Sequence, residues 1–311
     1  MRTDAPGIVL YGPGEKASRR HDNVSLPAFV VFGKELRVLM RGKKMPGIII
    51  FTDLDGTLLH PRTYSFEEAM PALEQVRQRN IPLIFVSSKT RAEIEGYRKR
   101  LKNGHPFTSE NGGGIYVPAG YFPFSAGGVM RGGYRVSVLG KPYGDIRAEF
   151  IRLRERTKAP VKGFGDMTVN EIAALTGLSR EEAALARERE FDEPFVFAQK
   201  PDERFLRAIE ERGLRWTRGR LYHIMGESDK GKAVRTLKTW YEREYGRMVT
   251  IGLGDGLNDL PMLRETDHPV LVRKEDGSYE EEISLPNLIK AEGVGPQGWG
   301  RAVMELLAAR K

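Results

Sequence analysis

Two carboxylates spaced two residues apart, Asp53 and Asp55 in Asp53-Leu54-Asp55-Gly56-Thr57, follow the apolar run Ile48-Ile49-Ile50-Phe51. Alternate side chains of an extended strand share one face, so the pair is expected to point the same way. From there one carboxylate can attack a phosphorus atom while the other protonates the leaving oxygen. Gly56-Thr57 offers a tight turn whose N–H groups suit phosphate oxygens. A second apolar run, 82–86, ends in Ser87-Ser88-Lys89-Thr90, and a third, 248–253, ends in Gly254-Asp255-Gly256-Leu257-Asn258-Asp259. Ser87 adds a hydroxyl donor, Ser88 and Thr57 join it as phosphate-binding candidates, and Lys230 adds a point charge for phosphoryl oxygens. A carboxylate does not readily approach a phosphate dianion. A hard divalent cation on Asp53, Asp55 and Asp255 removes that repulsion, and an all-oxygen donor set suits Mg²⁺.

Each of these signals is weak alone, since Asp-x-Asp and Gly-Asp-Gly are common in solvated turns. Their placement makes them informative. Short apolar runs alternate with helical stretches at 65–79, starting from Ser65 as N-cap, at 91–101 and at 230–245. That alternation predicts an α/β, doubly wound parallel sheet, whose ligand crevice lies at the carboxyl ends of the strands. Between 120 and 224 the pattern changes. Helical segments are expected near 145–157, 168–175, 179–190 and 201–211, with strands at 134–139, 195–198 and 221–224. The reading is a first core part at 47–119, an inserted α+β cap at 120–224 and a second core part at 225–311, with a final helix near 299–310. Residues 1–46 form an N-terminal extension of different character, with one strand-like run at 29–32, to which the sequence assigns no role.

The composition bounds the function. There is no cysteine, which excludes disulfides, thiolate metal sites and cysteine nucleophiles, and makes the cytoplasm the expected location. No apolar run is long enough to span a membrane, and no membrane partner is expected. The net charge is +8, and residues 1–46 hold nine Lys or Arg against four Asp or Glu, so most of the excess lies outside the expected catalytic unit. A basic nucleic-acid-binding protein with an inert α/β domain is the rival reading. The three tryptophans are isolated from one another and no aromatic series accompanies a basic strip, so no nucleic-acid partner is expected.

The four motifs, Asp53-Leu54-Asp55-Gly56-Thr57, Ser87, Lys230-Gly231 and Gly254-Asp255-Gly256-Leu257-Asn258-Asp259, resemble in order and spacing those of the haloacid dehalogenase superfamily. The position of the insert resembles the subgroup with a large α/β cap between the second and third motifs. The resemblance implies a phospho-aspartyl intermediate on Asp53, with Asp55 as general acid and then base. It also implies Mg²⁺ held by the Asp53 carboxylate, the Asp55 backbone carbonyl and Asp255, with Asn258 and Asp259 in support. Ser87-Ser88-Lys89-Thr90 departs from the Thr-Gly-Arg usual among cap-bearing sugar phosphatases. That variant, together with the segments 165–172, 176–179 and 186–195, is similar to the mannosyl-3-phosphoglycerate phosphatase family.

This second resemblance implies a small phosphorylated sugar-glycerate as substrate, cleaved to mannosylglycerate, a compatible solute, and phosphate. Glucosyl-3-phosphoglycerate and sucrose phosphate are the neighbouring alternatives. The substrate carries a carboxylate besides its phosphate, and Lys89, Arg187 and Arg189 are the candidates to meet it. Residues 183–190 also read as an exposed helix face whose charges are solvated, and the helix N-termini at Thr168 and Ser179 are a further option. His223 and His268 occupy no position the mechanism needs. The sequence does not set the oligomeric state.

Overall fold

The computed structural model describes residues 47–309. The extension 1–46, with its strand-like run, and the last residue of the expected final helix lie outside the described residues. In chain order the elements are β1 (Ile48–Thr52), α1 (Met70–Gln78), β2 (Leu83–Val86), α2 (Arg91–Arg100), β3 (Phe107–Ser109), β4 (Gly114–Pro118), β5 (Val129–Arg131) and β6 (Tyr134–Val138). Next come α3 (Tyr143–Thr157), β7 (Val161–Gly163), α4 (Val169–Thr176), α5 (Arg180–Ala186), β8 (Asp192–Phe197), α6 (Glu203–Glu211), β9 (Arg215–Arg218) and β10 (Tyr222–Met225). The chain continues through α7 (Lys230–Tyr245), β11 (Val249–Gly254), α8 (Leu260–Arg264), β12 (His268–Arg273), β13 (Ile289–Val294) and α9 (Pro296–Ala308).

The apolar runs pair as neighbours. A nine-stranded sheet has the order β13-β12-β11-β1-β2-β3-β4-β6-β5, parallel from β13 to β3 and antiparallel beyond. β1 is wholly buried because both of its faces are covered. Ile48 and Ile50 join the layer holding Leu73, Val76 and Trp299, whereas Ile49 and Phe51 join the layer holding Val234, Leu237 and Tyr241. The register pairs Thr52 with Leu253 on one side and with Phe85 on the other, so the ends of β11, β1 and β2 stand side by side. This is the placement the three motifs require.

The insert builds a separate antiparallel sheet of order β7-β8-β10-β9. α3 and α6 close one face of it around Phe150, Phe195, Phe205 and Ile224. Alternation turns Pro194, Leu221 and His223 the other way, toward the core.

Three expectations need correction. The strand expected at 134–139 inside the insert is β6, which pairs with β4 in the large sheet, so an insert beginning at 120 includes two strands of the core. The helix expected from Ser65 begins as an α-helix only at Met70, after a 3₁₀ turn at Glu67–Ala69, because Pro71 favours the first helical turn. The helix expected over 179–190 ends at Ala186, so Arg189 and Glu190 do not sit on an exposed helix face.

Trp299 of α9 is fully buried, and its indole N–H donates to the Thr52 hydroxyl at 3.0 Å, one residue before Asp53. Trp299→Ala is expected to lower stability by about 3–5 kcal/mol, and Trp299→Phe by about 1 kcal/mol through the lost hydrogen bond. Urea unfolding of the three proteins checks both values.

Candidate active site

Asp53 follows β1 directly, and its N–H continues the ladder to the Leu253 carbonyl at 2.9 Å. Its side chain is buried, and its Oδ1 accepts from the Lys230 ammonium at 2.6 Å. Lys230 is the first residue of α7, a helix capped by the Asp229 side chain. Fully buried, Lys230 also donates to Asp259 Oδ1 at 2.6 Å. The other oxygen of Asp259 accepts the N–H groups of Asp255 and Gly256 at 2.9 and 3.0 Å. Asp255 in turn accepts from the Thr57 hydroxyl at 2.8 Å. Gly56, at φ +79°, belongs to the left-handed region, and a Cβ there would stand 2.6 Å from Asp255 Oδ2.

Carboxylate oxygens of Asp53, Asp255 and Asp259 lie within 4.8 Å of one another. Two buried acids, Asp53 and Asp259, and the half-buried Asp255 face one ammonium. Burial pushes the Asp53 carboxyl well up against the pull of Lys230, with Asp259 and Asp255 adding to the rise. Burial and then Asp259 raise Asp255 to about 7. Burial works against the charge of Lys230, yet Asp259 and Asp53 carry it above the usual lysine value. A cluster short of positive charge, offering only oxygens, fits a hard cation. Asp53 and Asp255 have oxygens to offer it, whereas both oxygens of Asp259 are already engaged.

Asp55 departs from expectation. β1 ends at Thr52, and the Asp55 carboxylate does not join the cluster. It pairs with Lys89 at 3.1 Å, beside Glu93 at 3.2 Å from the same ammonium. Burial opposes the charge of Lys89, but Asp55 and Glu93 hold its pKa well above the usual value. Lys89 is therefore engaged in orienting Asp55. Ser87 is fully buried, and its hydroxyl accepts the Lys89 N–H at 3.2 Å, while Ser88 lines the cleft. Thr57 is also fully buried and braces Asp255.

The two cap arginines part company. Arg187 is exposed and borders a separate surface depression with Arg180. The Arg189 side chain is 3% exposed and is tied to Asp192 and Glu110. The N-termini at Thr168 and Ser179 are closed by their own capping boxes, through Glu171 and Glu182. His223 is buried, with Nδ1 2.9 Å from Asp192 Oδ2.

A second network has no counterpart among the sequence motifs. Glu110 accepts the N–H groups of Glu190, Phe191 and Asp192 at 2.7–3.0 Å and so fastens β8 of the cap to the core. Asn111 donates to Asp192 at 3.0 Å and accepts from Asn258 at 3.3 Å. Glu110, Asn111 and Gly112 have φ of +49°, +53° and +86°, a conformation costly for the first two and sustained by these bonds. The run Glu110-Asn111-Gly112-Gly113-Gly114 is visible as a turn, but its partners lie 80 residues away.

Core and cap enclose a cleft of about 620 Å³, lined by Asp53, Asp55 and Asp255 from the core and by Pro194, Arg220 and His223 from the cap. A family profile described as haloacid dehalogenase-like hydrolase matches residues 50–122. The chain is 45% identical over 263 residues to a glucosyl-3-phosphoglycerate/mannosyl-3-phosphoglycerate phosphatase of Methanococcoides burtonii, covering 83% of this chain and 97% of the relative. The chain belongs to this phosphatase family of haloacid dehalogenase-like hydrolases. It is also 38% identical over 225 residues to a mannosyl-3-phosphoglycerate phosphatase of Pyrococcus furiosus, covering 72% of this chain and 90% of that one. The fold matches the solved structure of a subclass IIB sugar phosphatase of the superfamily, with a TM-score of 0.56, 16% identity and coverage of 84% and 98%. The enzymes of this phosphatase family are phosphoric monoester hydrolases, and this chain is one of them.

Removing the ammonium while keeping the bulk, as in Lys230→Met, leaves Asp53 and Asp259 buried without their cation. A loss of about 3–5 kcal/mol in unfolding free energy is expected, measured by urea denaturation in EDTA.

Proposed function

We propose that this enzyme is a Mg²⁺-dependent phosphatase that hydrolyses mannosyl-3-phosphoglycerate to mannosylglycerate and phosphate, and accepts the glucosyl analogue as well. The observation that carries the phosphatase chemistry is the Asp53 carboxylate held at 2.6 Å by Lys230 on the floor of a capped cleft. Acceptance of both sugars rests on the two activities in the name of the 45% identical relative.

A carboxylate oxygen of Asp53 attacks phosphorus, the bond from phosphorus to the glycerate oxygen breaks, and the leaving oxygen takes a proton from Asp55. Lys89 keeps the Asp55 side chain turned into the cleft for this transfer. A water then attacks the phosphoryl group on Asp53, gives its proton to Asp55, and releases phosphate with the Asp53 carboxylate restored. Lys230 and the Ser88 segment face the phosphoryl oxygens. The N–H groups of Gly56 and Thr57, expected from the sequence to take this part, instead donate to the Leu59 and Leu54 carbonyls at 3.0 and 3.2 Å. Mg²⁺ held by Asp53, the Asp55 carbonyl and Asp255, with Asp259 bracing the Asp255 N–H, would neutralise the phosphate so that a carboxylate can approach it. Asn258, expected from the sequence in support, instead donates to Asn111. A cytoplasmic location accompanies this reading. Among the described residues, no helix is long and apolar enough to cross a membrane.

Phosphate release from mannosyl-3-phosphoglycerate is expected to stop in EDTA and return with Mg²⁺. Asp53→Asn should lower kcat by about a thousandfold or more, and Asp55→Asn by about 10²–10⁴-fold. A side-by-side panel with the glucosyl analogue and sucrose phosphate checks the substrate. Faster turnover of sucrose phosphate than of either glycerate would reject the assignment.

A further inference from the structure

Six basic side chains line the cleft: Arg62, Lys89, Arg189, Arg218, Arg220 and Lys274. Five of them face a carboxylate of the protein. Arg62 pairs with Glu275 at 2.5 Å, Lys89 with Asp55 and Glu93, Arg189 with Asp192, Arg218 with Glu282 at 3.4 Å, and Lys274 with Glu280 at 2.7 Å. Arg220 has no carboxylate within salt-bridge distance among the described residues. Its guanidinium donates to two neutral oxygens of the core, the Tyr64 hydroxyl at 2.8 Å and the Pro61 carbonyl at 3.4 Å.

The placement of Arg220 is that of a ligand contact. It sits in the turn between β9 and β10, at the tip of the cap sheet, and it is exposed to the cleft. The turn lies directly over the catalytic loop, since a Cβ on Gly219 would stand 3.1 Å from Asn258 Oδ1. Tyr64 fixes the other end. It is buried, and while accepting from Arg220 it donates to the Thr176 carbonyl of the cap at 2.9 Å. Both contacts to Arg220 come from the core, so the guanidinium reaches across the cleft from cap to core.

We infer that Arg220 binds the carboxylate of the substrate and makes the enzyme selective for phosphate esters that carry a second anionic group. This rests on the proposed glycerate substrate. The phosphate has Lys230 and the carboxylate cluster, whereas the substrate carboxylate needs a cation not already neutralised by the protein. A guanidinium offers a planar, two-pronged donor set matched to a carboxylate, and exchanging two neutral acceptors for a charged one strengthens the bond. Arg220 thereby takes the role expected from the sequence of Lys89, Arg187 and Arg189. A cap that closes through this contact does so best on a substrate carrying the carboxylate.

The test compares kcat/KM of wild type, Arg220→Met and Arg220→Lys on mannosyl-3-phosphoglycerate and on p-nitrophenyl phosphate, which lacks a carboxylate. Arg220→Met is expected to lose roughly 10- to 100-fold on the glycerate ester, chiefly through KM. That loss should exceed the loss on p-nitrophenyl phosphate at least tenfold, and Arg220→Lys should recover part of it. Tyr64→Phe removes one neutral partner and the bond to Thr176, and it should affect both substrates alike. Equal losses on both substrates in Arg220→Met, or no loss on either, would overturn the assignment. Wild type that fails to turn over the glycerate ester while cleaving p-nitrophenyl phosphate would instead overturn the proposed substrate, and the role of Arg220 with it.

Discussion

The site is organised by one buried ammonium. Lys230 stands between Asp53 and Asp259 at 2.6 Å from each, with no solvent exposure of its own. A charge so placed is costly unless both sides of the pair are satisfied, and here the pair sits in a cluster with more acid than base. That excess fits a cation at Asp53 and Asp255, and it ties the geometry of β1, α7 and the loop after β11 to a single electrostatic requirement. Each acid is also fixed by a second bond. Asp259 holds two backbone N–H groups, Asp255 holds the Thr57 hydroxyl, and Asp53 continues the sheet ladder.

The parallel sheet satisfies this requirement without special devices. Neighbouring strands in register end together, so residues far apart in sequence meet at one edge. Burial of β1 on both faces, by Trp299 on one side and Tyr241 on the other, makes that edge rigid. The cap is fastened in two ways. Phe164, Met167, Ile172, Ala183 and Phe191 join the same buried apolar cluster as Phe107 and Trp299 of the core, and Glu110, Asn111 and Tyr64 of the core make polar contacts with cap segments.

The core is legible in the sequence because local signals coincide there. Short apolar runs ending in Asp, Ser and Gly mark β1, β2 and β11 together with the residues at their tips, and Lys230 stands at the start of a clear amphipathic helix. The parts that differ from expectation depend on contacts that a linear pattern does not carry. The two-residue spacing puts Asp55 beside Asp53, but the strand ends first, and the Asp55 carboxylate lines the same cleft on a salt bridge to Lys89 without joining the Asp53, Asp255 and Asp259 cluster. Arg189 reads as a solvated charge only while the helix is taken four residues too far. Its burial is created by Glu110 and Asp192, one of them from a turn some 80 residues earlier. Arg220 has no motif at all, and its distinction appears only when the partners of the other cleft cations are known.

The proposed reaction turns on covalent chemistry at Asp53. Wild-type enzyme mixed with mannosyl-3-phosphoglycerate and quenched in acid within a turnover should carry one phosphoryl group, and peptide mass mapping should place it on Asp53 and find none in Asp53→Asn. Rapid release of phosphate with no phosphoryl group on the protein, or with the group on another side chain, would contradict a phospho-aspartyl route.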